Sequence, residues 1–243
     1  MYEHPPAKSG FYHCSLLRFL LEMYKRISDL IGEDNFLKFQ DKTVLIVGLG
    51  GVGGYSLEAL ARTGIKSFIL IDFDTFEESN MNRQLMAFKD TMNKRKVDVY
   101  EEHLKRINRD IKVIKFPIFL DDTSFLDDFS IDYIIDSCDT VKTKASLIKY
   151  ASLNKIKIIS SGGTAKLLSP QNLKVMTLKE AHDPLLKALK KNLEPSYWYI
   201  PVVSGSNYQK EKTLGSIVTS PSVAGIYLAH YVIEDIISSG KDQ

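Results

Sequence analysis

Apolar residues in this chain follow two alternating rhythms. Short runs rich in Val, Ile and Leu occupy residues 43–47, 67–71, 111–117, 131–136 and 156–160, whereas residues 53–63, 93–109 and 141–153 carry apolar positions three and four apart. The runs predict strands and the spaced stretches predict helices. In 93–109 the inward stripe is Val97, Tyr100, Leu104 and Ile107, with Lys96 in the first turn beside it. Strands that alternate with helices imply an α/β protein with a doubly wound, mainly parallel sheet. Ahead of it, Ile27, Leu30, Ile31, Phe36 and Leu37 predict two short helices around Gly32. Beyond Gly162 and Gly163 the rhythm loosens: a strand at 173–177, a helix at 184–193, an aromatic β-prone segment at 197–203 and a loop at 204–216. Pro221 then opens a last helix, capped by Thr219 or Ser220, that ends near Gly240.

The first strand runs directly into Gly48-Leu-Gly-Gly-Val-Gly53. Gly48, Gly50 and Gly53 have GxGxxG spacing: the first permits the turn, the second lets a phosphate approach the backbone, and the third lets the helix pack on the strand. Unpaired N–H groups at the helix start then face an anion. The second strand ends in Asp72, where a ribose hydroxyl would be bound. Strand, glycine turn, helix and acidic strand end together predict a nucleotide site, and the loop alone leaves the nucleotide open.

The next segment narrows it. Residues 73–88 carry no clean period and hold Asp74, Asn80, Asn82, Arg83 and Gln84, and Lys96 follows at the start of the next helix. A polar loop at the carboxyl end of a parallel strand is where ligands bind. The pyrophosphate of a nicotinamide cofactor can be held largely by a helix terminus, whereas the triphosphate of ATP needs cations and usually magnesium. Arg83 and Lys96 therefore favour ATP over a nicotinamide-dependent dehydrogenase. Asp136-Ser-Cys138-Asp139 closes the fourth strand, across the switch point. Asp139 can hold magnesium near the phosphates, cap the helix from Val141, or do both; as a cap alone it would suit a non-catalytic nucleotide sensor. Cys138 reads as a small apolar residue ending a buried strand, not as a nucleophile.

Composition excludes several classes. The 243 residues are 44% hydrophobic and 26% charged with a formal net charge of +2, so no global basic field announces nucleic acid or an anionic membrane. The two cysteines, Cys14 and Cys138, cannot make a four-cysteine zinc site or a disulfide framework, and a reducing compartment, the cytoplasm, is expected. Residues 11–21 are apolar but interrupted by Arg18, with no small-residue cleavage site after them, and no run approaches the roughly 18 apolar residues of a membrane span. Residues 1–24 are read as an N-terminal extension and residues 25–243 as a single nucleotide-binding domain.

These residues resemble a known superfamily, the adenylating enzymes that activate carboxylates: ubiquitin-activating enzymes and the adenylyltransferases of molybdopterin and thiamine synthesis. The resemblance rests on the glycine loop, Asp72-Phe-Asp74, Asn80-x-x-Arg83-Gln84 with Lys96 beyond, and the Asp136-x-x-Asp139 pair. Within it, the chain from about Lys25 to Ile237 is most similar to the tRNA threonylcarbamoyladenosine dehydratases. That narrower likeness is carried by Arg26 with Leu30-Ile-Gly32, Glu58-Ala-Leu-Ala-Arg-Thr-Gly64, Ser161-Gly-Gly163, Asp183-Pro-Leu185, and Gly215-Ser-Ile with Pro221-Ser-Val-Ala-Gly225. The sequence departs from the family's pattern at Ser206, where Glu is usual, and at Ser169, Thr177 and Ala181, where Asp, Asp and Thr are usual.

The resemblance implies a Rossmann-like fold with a C-terminal antiparallel extension. It implies an ATP- and magnesium-dependent enzyme that adenylates the carboxylate of threonylcarbamoyladenosine in tRNA and cyclises it. The alternative is an adenylyltransferase acting on the C-terminal glycine of a small sulfur-carrier or ubiquitin-like protein. The expected ATP contacts are Gly48, Gly50, Gly51, Gly53, Asp72, Asp74, Asn80, Arg83, Gln84 and Lys96. Catalysis is expected from Arg83, Lys96 and Asp139, with Asp139 on the metal and Arg26 reaching the ATP of a neighbouring protomer in a homodimer. Partners admitted by the resemblance are tRNA and a sulfur-transfer protein. Candidate RNA contacts are Lys187, Lys190, Lys191, Lys210 and Lys212, with Tyr197, Trp198 and Tyr199 as stacking platforms; a solvated face and a core strand explain them equally well. The chemistry needs no cysteine, because AMP leaves an acyl-adenylate readily once a substrate nitrogen is held against it.

Overall fold

The computed structural model describes residues 20–206, 208, 209 and 215–239. Cys14, Lys210, Lys212 and most of the 1–24 extension lie outside these residues. The chain forms helices α1 (Lys25–Ile31) and α2 (Glu33–Gln40), strand β1 (Thr43–Val47), helix α3 (Gly53–Thr63), strand β2 (Ser67–Ile71), helix α4 (Lys96–Ile107), and strands β3 (Lys112–Phe116) and β4 (Tyr133–Asp136). Helix α5 (Val141–Leu153), strands β5 (Lys157–Ser161) and β6 (Lys174–Thr177), helix α6 (Pro184–Lys190), strand β7 (Pro201–Ser204) and helix α7 (Thr219–Ser238) follow. One seven-stranded sheet has the order β3-β2-β1-β4-β5-β7-β6; every neighbouring pair is parallel except β6 with β7. The doubly wound sheet with an antiparallel end is the fold expected.

β1 shows why the sheet carries helices on both faces. Successive side chains of a strand point to opposite faces. Val44 and Ile46 join one core cluster with Phe36, Leu57, Tyr100 and Leu228, while Leu45 and Val47 join another with Leu147, Ile148, Leu186 and Leu189. Helices α2, α3, α4 and α7 thus cover one face, and α5 and α6 the other. A strand buried on both sides must be apolar throughout. β3, at the sheet edge, is mostly exposed and carries Lys112 and Lys115.

β1 pairs with β2 on one side and β4 on the other, so their connections leave in opposite directions and a crevice opens at the carboxyl ends of β1 and β4.

Several predicted elements are shorter than their pattern suggests: the helix expected at 184–193 ends at Lys190, the strand expected at 131–136 begins at Tyr133, and two others have a visible cause. The helix read from Asn93 begins at Lys96: Asn93 sits at φ 62, and Arg95 is extended and bridges Thr75. The β-prone segment 197–203 contributes only Pro201–Ser204 to the sheet, because Pro195 starts a 3-10 turn over Pro195–Tyr199. Pro221 stands third in α7, where its missing N–H costs nothing; the residue before the helix is Val218, and Ser220 Oγ donates instead to the carbonyl of Leu167.

Candidate active site

The crevice at the switch point is a cleft of ≈ 470 Å³, within the range of small-molecule sites. Gly48, Gly50, Gly51, Asp72, Asp74, Asn80, Arg83, Gln84, Lys96 and Asp139 all line it. Gly53 is set back from the cleft; a side chain there would run into the Gly48 carbonyl and Ser137 Oγ, so its bareness lets α3 pack against the turn. Gly48 has φ 88, and a Cβ on it would lie 2.9 Å from the Ser137 carbonyl oxygen. At Gly50 a Cβ would point into open cleft, 3.9 Å from Gln84 Nε2. The glycine turn is therefore tight on its strand side and bare on its cleft side, where first-turn N–H groups of α3 can meet an anion.

Asp72 braces this turn. Its Oδ2 accepts from Leu49 N–H at 2.5 Å and its Oδ1 from Asp74 N–H at 2.8 Å. Burial pushes the Asp72 carboxyl above the ordinary carboxylate range, while the Lys96 ammonium and these N–H groups hold it back. Lys96 is itself buried, with Nζ 2.7 Å from Asp74 Oδ2 and 4.0 Å from Asp72 Oδ2. Arg83 donates to Ser79 O at 2.7 Å and Asn82 Oδ1 at 2.9 Å, which turns its guanidinium along the cleft wall. Asn80 Oδ1 accepts from Glu77 N–H at 3.2 Å and shapes this loop. Gln84 Oε1 is buried and has no hydrogen-bond partner among the described residues. A buried acceptor left unmet beside a bare glycine loop marks a place for a ligand donor.

Asp139 is exposed at the opposite wall, and its carboxylate meets no donor among the described residues. The N-cap of α5 is Thr140, without a side-chain cap bond, so the capping role weighed for Asp139 is not the one it plays here. Magnesium bound with a nucleotide commonly takes one or two carboxylates plus phosphate oxygens, and a lone free carboxylate facing the glycine loop fits that need. Cys138 also lines the cleft, but burial pushes its thiol well above the ordinary range, reinforced by the neighbouring Asp136 carboxylate. A neutral thiol is a poor nucleophile.

The sequence reading missed the apolar end of the cleft. Ile118, Phe119 and Leu120, just past β3, join Phe73 there, and the rings of Phe73 and Phe119 meet edge-on with centroids 5.4 Å apart. Two aromatic rings here offer a surface on which a planar group can pack, adjacent to Asp72. Position alone could have signalled it, since Phe119 follows a parallel strand that neighbours the Asp72 strand. Thr164, after Gly162-Gly163, lines the cleft from the β5 side.

Arg26 stands apart. It borders a separate surface hollow with Tyr24, Arg62 and Ile107, and does not line the switch-point cleft. The RNA candidates divide. Lys190 is turned inward, donating to the carbonyls of Lys179 at 3.1 Å and Ala181 at 2.7 Å, with its ammonium 5.9 Å from the Trp198 ring. Tyr197 and Trp198 are half-buried and pack against the core cluster that α5 and α6 share. Lys187 and Lys191 are exposed, and so is Tyr199, 66% accessible with Lys179 over its ring.

Three of the four residues that depart from the family pattern have a local structural setting, and nothing in the structure explains Ser206. Ser169 accepts from Gln171 N–H, Thr177 Oγ1 donates to Glu180 Oε2 at 2.7 Å, and Ala181 is fully buried.

Comparison with known proteins shows what the chain is similar to. A family model described as the ThiF family matches residues 24–242. A tRNA threonylcarbamoyladenosine dehydratase of Haemophilus influenzae is 37% identical over 174 residues, 70% of this chain and 67% of that protein. Its Bacillus subtilis counterpart is 29% identical over 243 residues, covering 90% of this chain and 96% of that protein. Among solved structures, the tRNA N6-threonylcarbamoyladenosine dehydratase of E. coli in complex with ATP superposes with a TM-score of 0.87 at 27% identity, covering 92% of this chain and 97% of that chain.

Proposed function

The chain belongs to the ThiF family, and we propose that it is an ATP-dependent tRNA threonylcarbamoyladenosine dehydratase. The observation that carries the reading is the cleft itself: a bare glycine turn faces the cations Arg83 and Lys96 on one wall and a free Asp139 carboxylate on the other. The apolar end at Phe73 and Phe119 receives the adenine of ATP, Asp72 the ribose, and the α3 terminus with Arg83 and Lys96 the phosphates. Asp139 would hold magnesium, which when bound would neutralise phosphate charge. The substrate carboxylate attacks the α-phosphorus, and the bond to pyrophosphate breaks. A nitrogen of the same substrate then attacks the activated carbonyl, loses its proton and expels AMP, so the balance is loss of one water from the tRNA base at the expense of ATP. No protein nucleophile is required, in keeping with the neutral Cys138.

Residues 25–243 act as one adenylating domain, and the cytoplasm is its expected compartment. For the single domain the support is that α7 packs directly on α3. We place Arg26 in the site of a partner protomer in a homodimer. The support is its distance from its own cleft, together with Leu30, one turn along the same helix and 83% exposed.

The test is exchange of labelled pyrophosphate into ATP. Exchange should require tRNA bearing the threonylcarbamoyl group and should not respond to NAD. Exchange that depends instead on a small carrier protein with a C-terminal glycine would replace this reading with that of a protein-activating adenylyltransferase.

A further inference from the structure

We infer that Lys144 is a positioning residue whose buried ammonium fixes the 137–140 turn, and with it the glycine turn and the Asp139 wall of the nucleotide cleft. Lys144 lies on α5 and is 0% exposed, as are Asp136 at the end of β4 and Ser160 near the end of β5. Its Nζ is 3.1 Å from Asp136 Oδ2 and 3.1 Å from Ser160 Oγ, and Ser160 Oγ donates to the same Oδ2 at 2.6 Å. One oxygen of Asp136 is thus committed to the interior.

The other is committed to the cleft turn: Oδ1 accepts from the Cys138 backbone N–H at 3.3 Å and from its thiol at 3.1 Å. The turn held in this way carries Ser137, whose Oγ lies 2.7 Å from the Gly48 carbonyl oxygen and 2.9 Å from that of Val47. It also carries Asp139, whose carboxylate no group among the described residues steadies. A single chain of interactions therefore runs from Lys144 through Asp136 to the 137–138 backbone, and from there to the glycine turn and to Asp139.

The fold does not need an ion pair here. A buried pair seldom stabilises more than well-packed apolar side chains of the same volume, because desolvation offsets the attraction. Among Leu147, Ile148 and Ile134 an apolar residue would serve the core. What the pair adds is direction: a charged hydrogen-bond network with every oxygen assigned allows one arrangement of the turn.

The inference rests on the cleft being the ATP site. It is tested with Lys144→Met, and with Lys144→Met combined with Asp136→Asn so that no lone charge remains buried. Three readouts are taken on folded protein: amide hydrogen exchange over residues 137–140, ATP affinity, and kcat of pyrophosphate exchange. Faster amide exchange confined to 137–140 is expected in both variants. kcat should fall on the order of 100-fold, as for a reacting group displaced by about 1 Å, with a smaller loss of ATP affinity and partial recovery in Lys144→Arg. Wild-type amide protection and near wild-type kcat in the folded double variant overturn the inference. Should neither methionine variant fold, Ser160→Ala, which removes one leg of the network and no charge, decides by the same readouts. An unaltered protein that binds no ATP would sink the functional reading while the amide exchange still judges the role of Lys144.

Discussion

Ser56 Oγ, on the helix that follows the glycine turn, donates to the carbonyl oxygen of Gly225 at 2.9 Å, joining residues 169 positions apart in the chain. The approach is possible because Gly225 has no side chain: a Cβ there would meet the Val52 carbonyl and lie 3.0 Å from Tyr55 Cβ. Helix α7 thus buttresses the nucleotide helix through bare backbone, and Pro221 Cβ reaches the other end of the turn, 3.2 Å from where a Gly51 side chain would begin. Gly225→Ala should therefore destabilise the fold by about 1–3 kcal/mol, as overpacking does, and weaken ATP binding by shifting α3. Thermal melting and ATP titration check it; a melting point within a degree of the unaltered protein would mean that the helices yield without cost.

Asp139→Ala should abolish adenylation and leave the melting temperature unchanged. Loss of a side-chain cap would cost ~1 kcal/mol, but Thr140 holds the N-cap position and the Asp139 carboxylate has no partner to lose among the described residues. Cys138→Ala, in contrast, should retain most activity, since its thiol stays protonated at neutral pH. A folded but inactive Cys138→Ala protein would contradict the cysteine-independent route.

How much of this was legible in the sequence depends on how local the cause was. The glycine turn, Asp72 and Asp139 were readable because each lies at or just beyond the carboxyl end of a strand that its own apolar run announces, and Arg83 and Lys96 because they stand in the aperiodic polar segment and at the helix start that follow Asp72. Asp183 was recognisable only as part of a motif; the structure shows why it is there. Fully buried, it caps α6 through Leu186 N–H at 3.1 Å and also accepts from Gly163 N–H at 3.2 Å and Ser204 Oγ at 2.8 Å. Segments far apart in sequence meet on that one carboxylate, and no periodicity encodes such a meeting. Lys190 misled for the same reason. A lysine on an amphipathic helix reads as solvated, and only the tertiary fold shows its ammonium capping the carbonyls of Lys179 and Ala181. Phe119 escaped notice because an aromatic residue past a strand looks like core until its ring is seen at the cleft edge.

ATP affinity should fall on acidification earlier than an ordinary carboxylate would allow. The folded-state pKa of Asp72 is raised, by burial above all, so protonation begins at a higher pH than the usual value near 4. A protonated Asp72 no longer offers an ionised acceptor to ribose. Titrating ATP binding from pH 7 downward should show a loss that begins above the ordinary range and disappears in Asp72→Asn, which is weak at every pH. A flat profile down to pH 4 would show that the ribose is not held by this group.

Raising salt from about 50 to 200 mM should weaken tRNA binding by tenfold or more if several phosphates are contacted, with ATP affinity changing far less. Lys187 and Lys191, exposed on and beside α6, are the residues to test. Charge reversal of both should flatten the salt slope by about one unit for each phosphate that is no longer neutralised. Lys190→Glu is a poor probe, because its ammonium is spent on backbone carbonyls and its removal would loosen the loop at Ala181. An unchanged slope in the double reversal would move the RNA surface elsewhere.

The reading of Arg26 makes the sharpest demand, because it requires two chains for one site. Arg26 sits on α1, outside the β1–α3–β2 unit that forms the glycine turn, and borders a hollow apart from its own cleft. Taken alone, an exposed arginine on a short helix is most simply a solvated one. Its setting argues further: Leu30, one turn along and on the same face, is 83% exposed, and Met23 nearby is 44% exposed, so two large apolar side chains stand in the open among the charges around Arg26. A cation delivered across such an interface would neutralise the leaving pyrophosphate only in the assembled dimer. Arg26→Ala and Asp139→Ala proteins should each be inactive alone. On equal mixing with subunit exchange, half the dimers pair one of each, and each such dimer holds one complete site and one site lacking both groups. About a quarter of wild-type activity should then return, as independent sites on a two-fold dimer require. If subunit exchange is demonstrated, both parents are folded and no activity returns, Arg26 belongs to its own chain's site or lies outside the chemistry.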